Sequence, residues 1–193
     1  RGRVAGLYGA DGSLLSSPND TDQLFSLSLT AVDDFNRKLT VSPDGAKKFT
    51  VRPVEGGVRF IYEGYAEGVN KVICQVLARK GDDAVRWRIA VDVAKGWALV
   101  DTSFPRMILT GAIGGKSEDD AIVTGDCKSG IFKNPMAKPK SAWPMILWQP
   151  GSMAAQFGFY YDGDRGFYSG FEDAKGDAIR LMYTNWKDSG LFC

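Results

Sequence analysis

In the stretch "FSLSLTA" every second residue is apolar: Phe25, Leu27, Leu29 and Ala31 alternate with Ser26, Ser28 and Thr30. Successive side chains of a β-strand point to opposite faces, so this pattern sets one face against a core and leaves the other in water. A helix would scatter the same apolar residues around its circumference. "VRWRIAVDV" repeats the pattern, with Val85, Trp87, Ile89, Val91 and Val93 alternating against Arg86, Arg88 and Asp92. Further strands are expected over Val4 to Tyr8, Lys38 to Val41, Lys48 to Pro53, Gly57 to Tyr62, Lys71 to Arg79, Ala98 to Phe104, Ala121 to Thr124, Ser152 to Tyr161, Gly166 to Phe171 and Ala178 to Tyr183. No segment holds a helical period.

The punctuation between these segments agrees with hairpins. "ADGS", "SPDG", "EGG", "KGDD", "YDGDRG" and "DAKGD" place Gly and Asp where tight turns need positive φ or a side-chain cap. Half-buried strands joined in this way predict an all-β fold, a large antiparallel two-sheet sandwich. At 193 residues the chain fits one such domain, spanning 1–193. The irregular region is Thr110 to Gln149, with "GAIGGKSEDD" and the Pro-spaced "NPMAKPKSAWP". It reads as a long excursion over the sheet surface rather than a linker, because Trp143, Met145, Ile146, Leu147 and Trp148 follow at once and need burial.

Composition narrows the chemistry. There is no histidine, which excludes a Ser-His-Asp or Cys-His nucleophile system, a histidine-ligated metal and a histidine acid or base within this chain. The three cysteines, Cys74, Cys127 and Cys193, form no CxxC motif, so a zinc or thioredoxin-like site is not expected. Twenty-four Lys and Arg against 23 Asp and Glu give a net charge of +1, which points to neither nucleic acid nor a membrane surface as a partner. "GAIGG" lacks the spacing of a nucleotide-binding loop, and no cofactor is expected.

The stretch "QFGFYYDGDRGFYSGFEDAKGD", Gln156 to Asp177, is the densest in aromatic and acidic residues. Its alternating Phe157, Phe159 and Tyr161, then Phe167 and Phe171, read as core residues framing two acidic turns. Asp162 and Asp164 satisfy only the first part of a calcium-loop pattern, so they are named as metal candidates without a metal being expected. A carboxylate pair, such as Glu63 with an acid on a neighbouring strand, would be needed for a small acid–base enzyme, and the sequence gives no reason to choose it. Trp143, Trp148 and Trp186, outside the strongest alternation, are the candidates for stacking on a sugar.

The order of landmarks resembles a known family. "GRVAGLYGADGSLLSSPNDTDQLFSLSLT" looks like the opening of the N-terminal supersandwich domain of large bacterial glycoside hydrolases. "VRWRIAVDV" followed by "WALVDTSFP" resembles that domain's central hairpin, and "DDAIVTGDCKSGIFKNP" with "PGSMAAQFGFYYDGDRGFYSGFEDAKGD" is similar to its last third. The resemblance covers nearly the whole chain. It implies a galactose-mutarotase-like sandwich preceding a (β/α) barrel that carries the catalytic carboxylates. This chain would then be a fragment that stops where the next domain begins. A true mutarotase uses histidine with a carboxylate, and no histidine is present, so that activity is not carried over. With the barrel outside this chain, no catalytic residue is assigned.

The resulting expectation is a non-catalytic β-sandwich domain of a glycoside hydrolase, whose partner is the catalytic barrel of the same polypeptide. The alternative is a free-standing carbohydrate-binding module whose exposed Trp and Tyr side chains bind glycan. Cysteine usage fits either the cytoplasm or the periplasm, and the reading leans to a periplasmic or extracellular address.

Overall fold

The computed structural model describes residues 2–9, 11–17, 22–124, 130–137, 147–148, 157–170, 180–181, 183–185 and 190–192. The fold is all-β and antiparallel. The described strands, in chain order, are β1 (Ser26–Ala31), β2 (Lys38–Val41), β3 (Lys48–Val54), β4 (Gly57–Glu63), β5 (Val69–Leu77), β6 (Arg86–Val93), β7 (Trp97–Ser103), β8 (Ile108–Thr110), β9 (Ala121–Thr124), β10 (Gly130–Lys133), β11 (Leu147–Trp148), β12 (Phe157–Asp162), β13 (Arg165–Gly170), β14 (Arg180–Leu181), β15 (Tyr183–Asn185) and β16 (Gly190–Phe192). They fall into two compact units, Arg1–Val4 with Thr21–Arg106, and Ala5–Asp20 with Met107–Cys193.

The first unit holds the sheet β2-β1-β7 and the meander β3-β4-β5-β6. β1 sets Leu27 opposite Val41 and Leu29 opposite Leu39 on one side, and pairs with β7 on the other across a bulge between Ser28 and Leu29. The residues expected to face inward do so: Phe25, Leu27, Leu29 and Ala31 are buried. Phe25, Leu27 and Leu29 share one cluster with Tyr62, Val72 and Cys74 of the meander, against which Trp87, Ile89, Val91 and Val93 pack. The Phe25 ring meets the Tyr62 ring edge-on at 5.2 Å, and Phe49 adds a tilted contact to Tyr62 at 5.0 Å. Each such apolar side chain contributes about 1.5–3 kcal/mol when it leaves water. Burial also pushes the Cys74 thiol up to about 12, so it behaves as a small core residue and not as a nucleophile.

β3 lies at one edge of the meander and carries Pro53 and two cationic residues, Lys48 and Arg52, with Lys47 just before the strand. Both devices discourage another chain from pairing there. Entry into β5 turns on Gly68, whose φ is +84° and where a Cβ would lie 2.4 Å from Leu39 Cδ2. No L-residue with a side chain fits that turn without displacing Leu39.

The second unit contains β10-β9-β12-β13, β15-β16-β8 and β11-β14. In its N-terminal segment, Leu15 N–H donates to Leu7 O at 2.7 Å and Ser16 pairs with Leu109. The expected strand over Val4 to Tyr8 is therefore reduced to a single bridge from Tyr8 to Leu14. The expected long excursion over Thr110 to Gln149 is also corrected: besides β9 it includes β10, paired with β9 from Gly130↔Thr124 to Lys133↔Ala121. β10 is only four residues long, too short to announce itself by alternation. Of the strand expected over Ser152 to Tyr161, residues 157–161 are in β12 and 152–156 lie outside the described residues.

Two substitutions test the packing by urea denaturation. Leu27→Ala should cost about 2–5 kcal/mol, while Val100→Ala, on an exposed position of β7, should stay within about 0.5 kcal/mol. Tyr62 Oη is buried with no hydrogen-bond partner among the described residues, so Tyr62→Phe should raise stability by about 1 kcal/mol. A loss for Tyr62→Phe would show that the hydroxyl is satisfied in solution.

Candidate functional site

In the four-stranded sheet of the second unit the alternation has a definite phase. Ile122 of β9 and Tyr160 of β12 stand opposite one another and are buried. Their neighbours in sequence face the other way, in register: Ile131 is opposite Val123, Val123 opposite Phe159, and Phe159 opposite Tyr168. One row of apolar and aromatic side chains thus crosses all four strands. Ile131 is 59% exposed, Phe159 39% and Tyr168 54%. The two rings sit 4.9 Å apart, tilted by 49°. A Cβ on Gly170, two residues along β13, would lie 2.4 Å from Tyr168 Oη, so the Tyr168 ring lies along its own strand. Glycine at 170 leaves room for that posture.

On the buried side of this sheet, Asp120 has a relative exposure of 0%. Its Oδ2 accepts hydrogen bonds from Tyr160 Oη and from the Ile113 backbone N–H, the latter at 3.2 Å. Its Oδ1 is buried without a hydrogen-bond partner among the described residues. Burial raises the Asp120 carboxyl above the usual carboxylate range, the bonds from Tyr160 and Ile113 pull it back, and the charges of Asp162 and Asp119 raise it further. The Tyr160 phenol is raised in turn by its own burial and by donating to Asp120. Gly114, at φ +72°, brings its backbone against Asp162, since a Cβ there would meet Asp162 Oδ2 at 2.1 Å.

Asp119, Asp120 and Asp162 each offer an oxygen within 4.8 Å of the others. That separation fits inside the roughly 4.6–5.2 Å diameter of a shell built on Ca²⁺–oxygen bonds. These are the described residues that would hold a hard cation. Three carboxylates fall short of the six to eight oxygens Ca²⁺ takes, and a buried Asp bonded to a tyrosine and a backbone amide is also a complete structural motif.

The residues singled out from sequence fare differently. Asp162 joins Asp119 and Asp120, whereas Asp164 is exposed in the turn between β12 and β13 and is not in that group. Trp143 and Trp186 lie outside the described residues, and Trp148 is placed only as the partner of Arg180 in β11 and β14. Glu63 faces no acid: it stands between Lys48 and Lys71, bonds Lys48 at 3.0 Å, and its carboxyl is lowered by that bond. A general acid needs the opposite shift. Phe159, read as core, is on the open face, and Tyr160 is in the core instead. Asp119 and Asp120 carried no signal beyond their charge. Compared with protein-family models, curated proteins and solved structures, the chain finds no match.

Asp120 can be tested by isosteric replacement. Asp120→Ala strands the Tyr160 hydroxyl and the Ile113 amide and should cost about 1–3 kcal/mol. Asp120→Asn keeps an acceptor for both and should cost much less. Because the folded carboxyl is raised, the native protein loses stability as pH rises through its folded value, whereas Asn does not titrate. Urea midpoints measured from pH 4 to pH 8 should therefore move in favour of Asp120→Asn as pH rises. A trend in the other direction would mean that the ionised carboxylate is stabilised, by a cation or otherwise.

Proposed function

We propose that this chain is a non-catalytic β domain of a carbohydrate-active enzyme, a glycoside hydrolase, and that it binds glycan through the exposed face of β10-β9-β12-β13. The observation that supports this is the row Ile131, Val123, Phe159 and Tyr168 across four strands, in which Ile131, Phe159 and Tyr168 are 59%, 39% and 54% exposed. Sugar rings have apolar faces that stack on aromatic side chains, and a ring that already lies along its strand loses little freedom when a ligand covers it. A flat strip of this kind suits a polysaccharide better than a small molecule, which needs a concave pocket.

The same reading accounts for the chemistry of the remaining acids. Several described carboxylates are committed to cations: Asp11 to Arg165, Asp22 to Arg106, Glu63 to Lys48, Glu67 to Arg37 and Asp82 to Arg86. The partner in this reading is the catalytic barrel of the same polypeptide, which the sequence resemblance implies and which would carry the cleaving carboxylates. The galactose-mutarotase-like assignment rests on the sequence resemblance, and an all-β antiparallel fold is what such a domain requires. A free-standing binding module would use the same face and differ only in lacking a barrel in the parent gene product.

Affinity electrophoresis against a panel of neutral polysaccharides tests the proposal. Wild-type protein should be retarded by at least one of them. Phe159→Ala and Tyr168→Ala should each weaken that binding about tenfold, equivalent to about 1.4 kcal/mol, with the thermal midpoint little changed. Retardation unaffected by both substitutions, or none with any polysaccharide, would remove the face from consideration.

A further inference from the structure

The outward face of the meander β3-β4-β5-β6 carries a row of arginines without an ion pair among the described residues. Register sets Arg52 opposite Arg59, Arg59 opposite Gln75, and Gln75 opposite Arg88. Residues directly opposite in an antiparallel sheet share a face, so these four side chains form one line across all four strands. The alternate positions, Phe60, Cys74 and Ile89, belong to the core. None of Arg52, Arg59 and Arg88 has an ion pair or a hydrogen bond among the described residues. Arg59 Nε is buried and unsatisfied.

The rest of this face is charged but balanced. Four residues further along the strands stand Lys48, Glu63, Lys71 and Asp92 in one row, alternating in sign. Glu63 bonds Lys48 at 3.0 Å, and of its three cationic neighbours Arg52 has the weakest effect on it. Asp92 accepts from Asn70 at 3.0 Å. Thr50, Ile61, Ile73 and Ala90 separate the two rows with uncharged side chains. Like charges placed directly opposite one another weaken a sheet, so Arg52 beside Arg59 is a standing cost to the protein in the absence of an anion.

We propose that Arg52, Arg59, Gln75 and Arg88 form a binding site for an acidic glycan, a sugar chain bearing carboxylates; the sugar part of this assignment rests on the functional reading above. The guanidinium fork matches a carboxylate in a bidentate pair. Three strand spacings separate Arg52 from Arg88, about 14 Å, so no single anion reaches all three arginines and the ligand is an extended one with repeated charges. Single-stranded nucleic acid fits poorly: its binding sites interleave aromatic platforms for the bases with the cations, and this face offers Thr50, Val54, Ile61, Ile73 and Ala90 instead. The chain as a whole, at +1, supplies no wider field for a polyphosphate.

The test measures binding of the full chain to polygalacturonate, with poly-L-glutamate and a single-stranded oligonucleotide as charged polymers without uronate rings. The variant is Arg52→Gln with Arg88→Gln, since both positions are exposed and, with the repulsion between Arg52 and Arg59 relieved, their loss should not lower the thermal midpoint. Polygalacturonate should bind at least tenfold tighter than either control polymer, and the double variant should lose at least tenfold of that affinity. Neutral-polysaccharide binding through Phe159 and Tyr168 is measured on the same preparations, so the two sites stand or fall separately. The proposal is overturned if polygalacturonate does not bind, if the double variant binds it as tightly as wild type, or if either control polymer binds equally well.

Discussion

Side chains of an antiparallel strand alternate between two faces, so a slip of one residue in register would exchange every buried side chain for an exposed one. In β1 such a slip would bring Ser26, Ser28 and Thr30 to the place where Phe25, Leu27 and Leu29 meet Tyr62 and Val72. That contact, with the Phe25 and Tyr62 rings 5.2 Å apart, holds the sheets of the first unit in one phase. Once the phase is fixed, the outward faces follow without further choice. The arginine row of the meander is outward because Phe60, Cys74 and Ile89 are inward. In the second unit, Phe159 and Tyr168 are outward because Ile122 and Tyr160 are inward.

The parts of the fold legible in the sequence were those where alternation is carried by residues of unequal character. Ser and Thr against Leu and Phe in β1, and Arg and Asp against Trp, Ile and Val in β6, leave no doubt about which set is dry. Legibility failed in β12, where both phases are apolar. "FGFYYD" offers Phe157, Phe159 and Tyr161 on one side against Gly158 and Tyr160 on the other, and hydrophobicity alone favours the heavier set. The structure takes the lighter set because the Tyr160 hydroxyl finds Asp120 inside, 40 positions away in sequence. A hydrogen bond of that range leaves no mark on local periodicity. The short strands β8 and β10 were missed for the simpler reason that three or four residues cannot display a period.

The candidate site was legible only in outline. The acidic and aromatic stretch does carry the side chains of interest, but with their roles exchanged: an aromatic taken for core is part-exposed, and an acid taken for a turn residue, Asp162, lies near the buried carboxylate of Asp120, the residue before β9. Nor could composition reveal the arginine row. Arg52, Arg59 and Arg88 are scattered through a chain whose net charge is +1, and only the pairing of β3, β4, β5 and β6 aligns them. Net charge describes what a distant partner senses, whereas recognition depends on which charges share a face.

The central claim is that the exposed face of β10-β9-β12-β13 meets the glycan. The most direct measurement is a ¹⁵N–¹H correlation spectrum of the full chain, titrated with neutral oligosaccharides cut from whichever polysaccharide the protein retains. The account predicts saturable shifts gathered on Ala121–Thr124, Gly130–Lys133, Phe157–Asp162 and Arg165–Gly170. Shifts gathered on other strands, with these four unmoved at saturation, would contradict it.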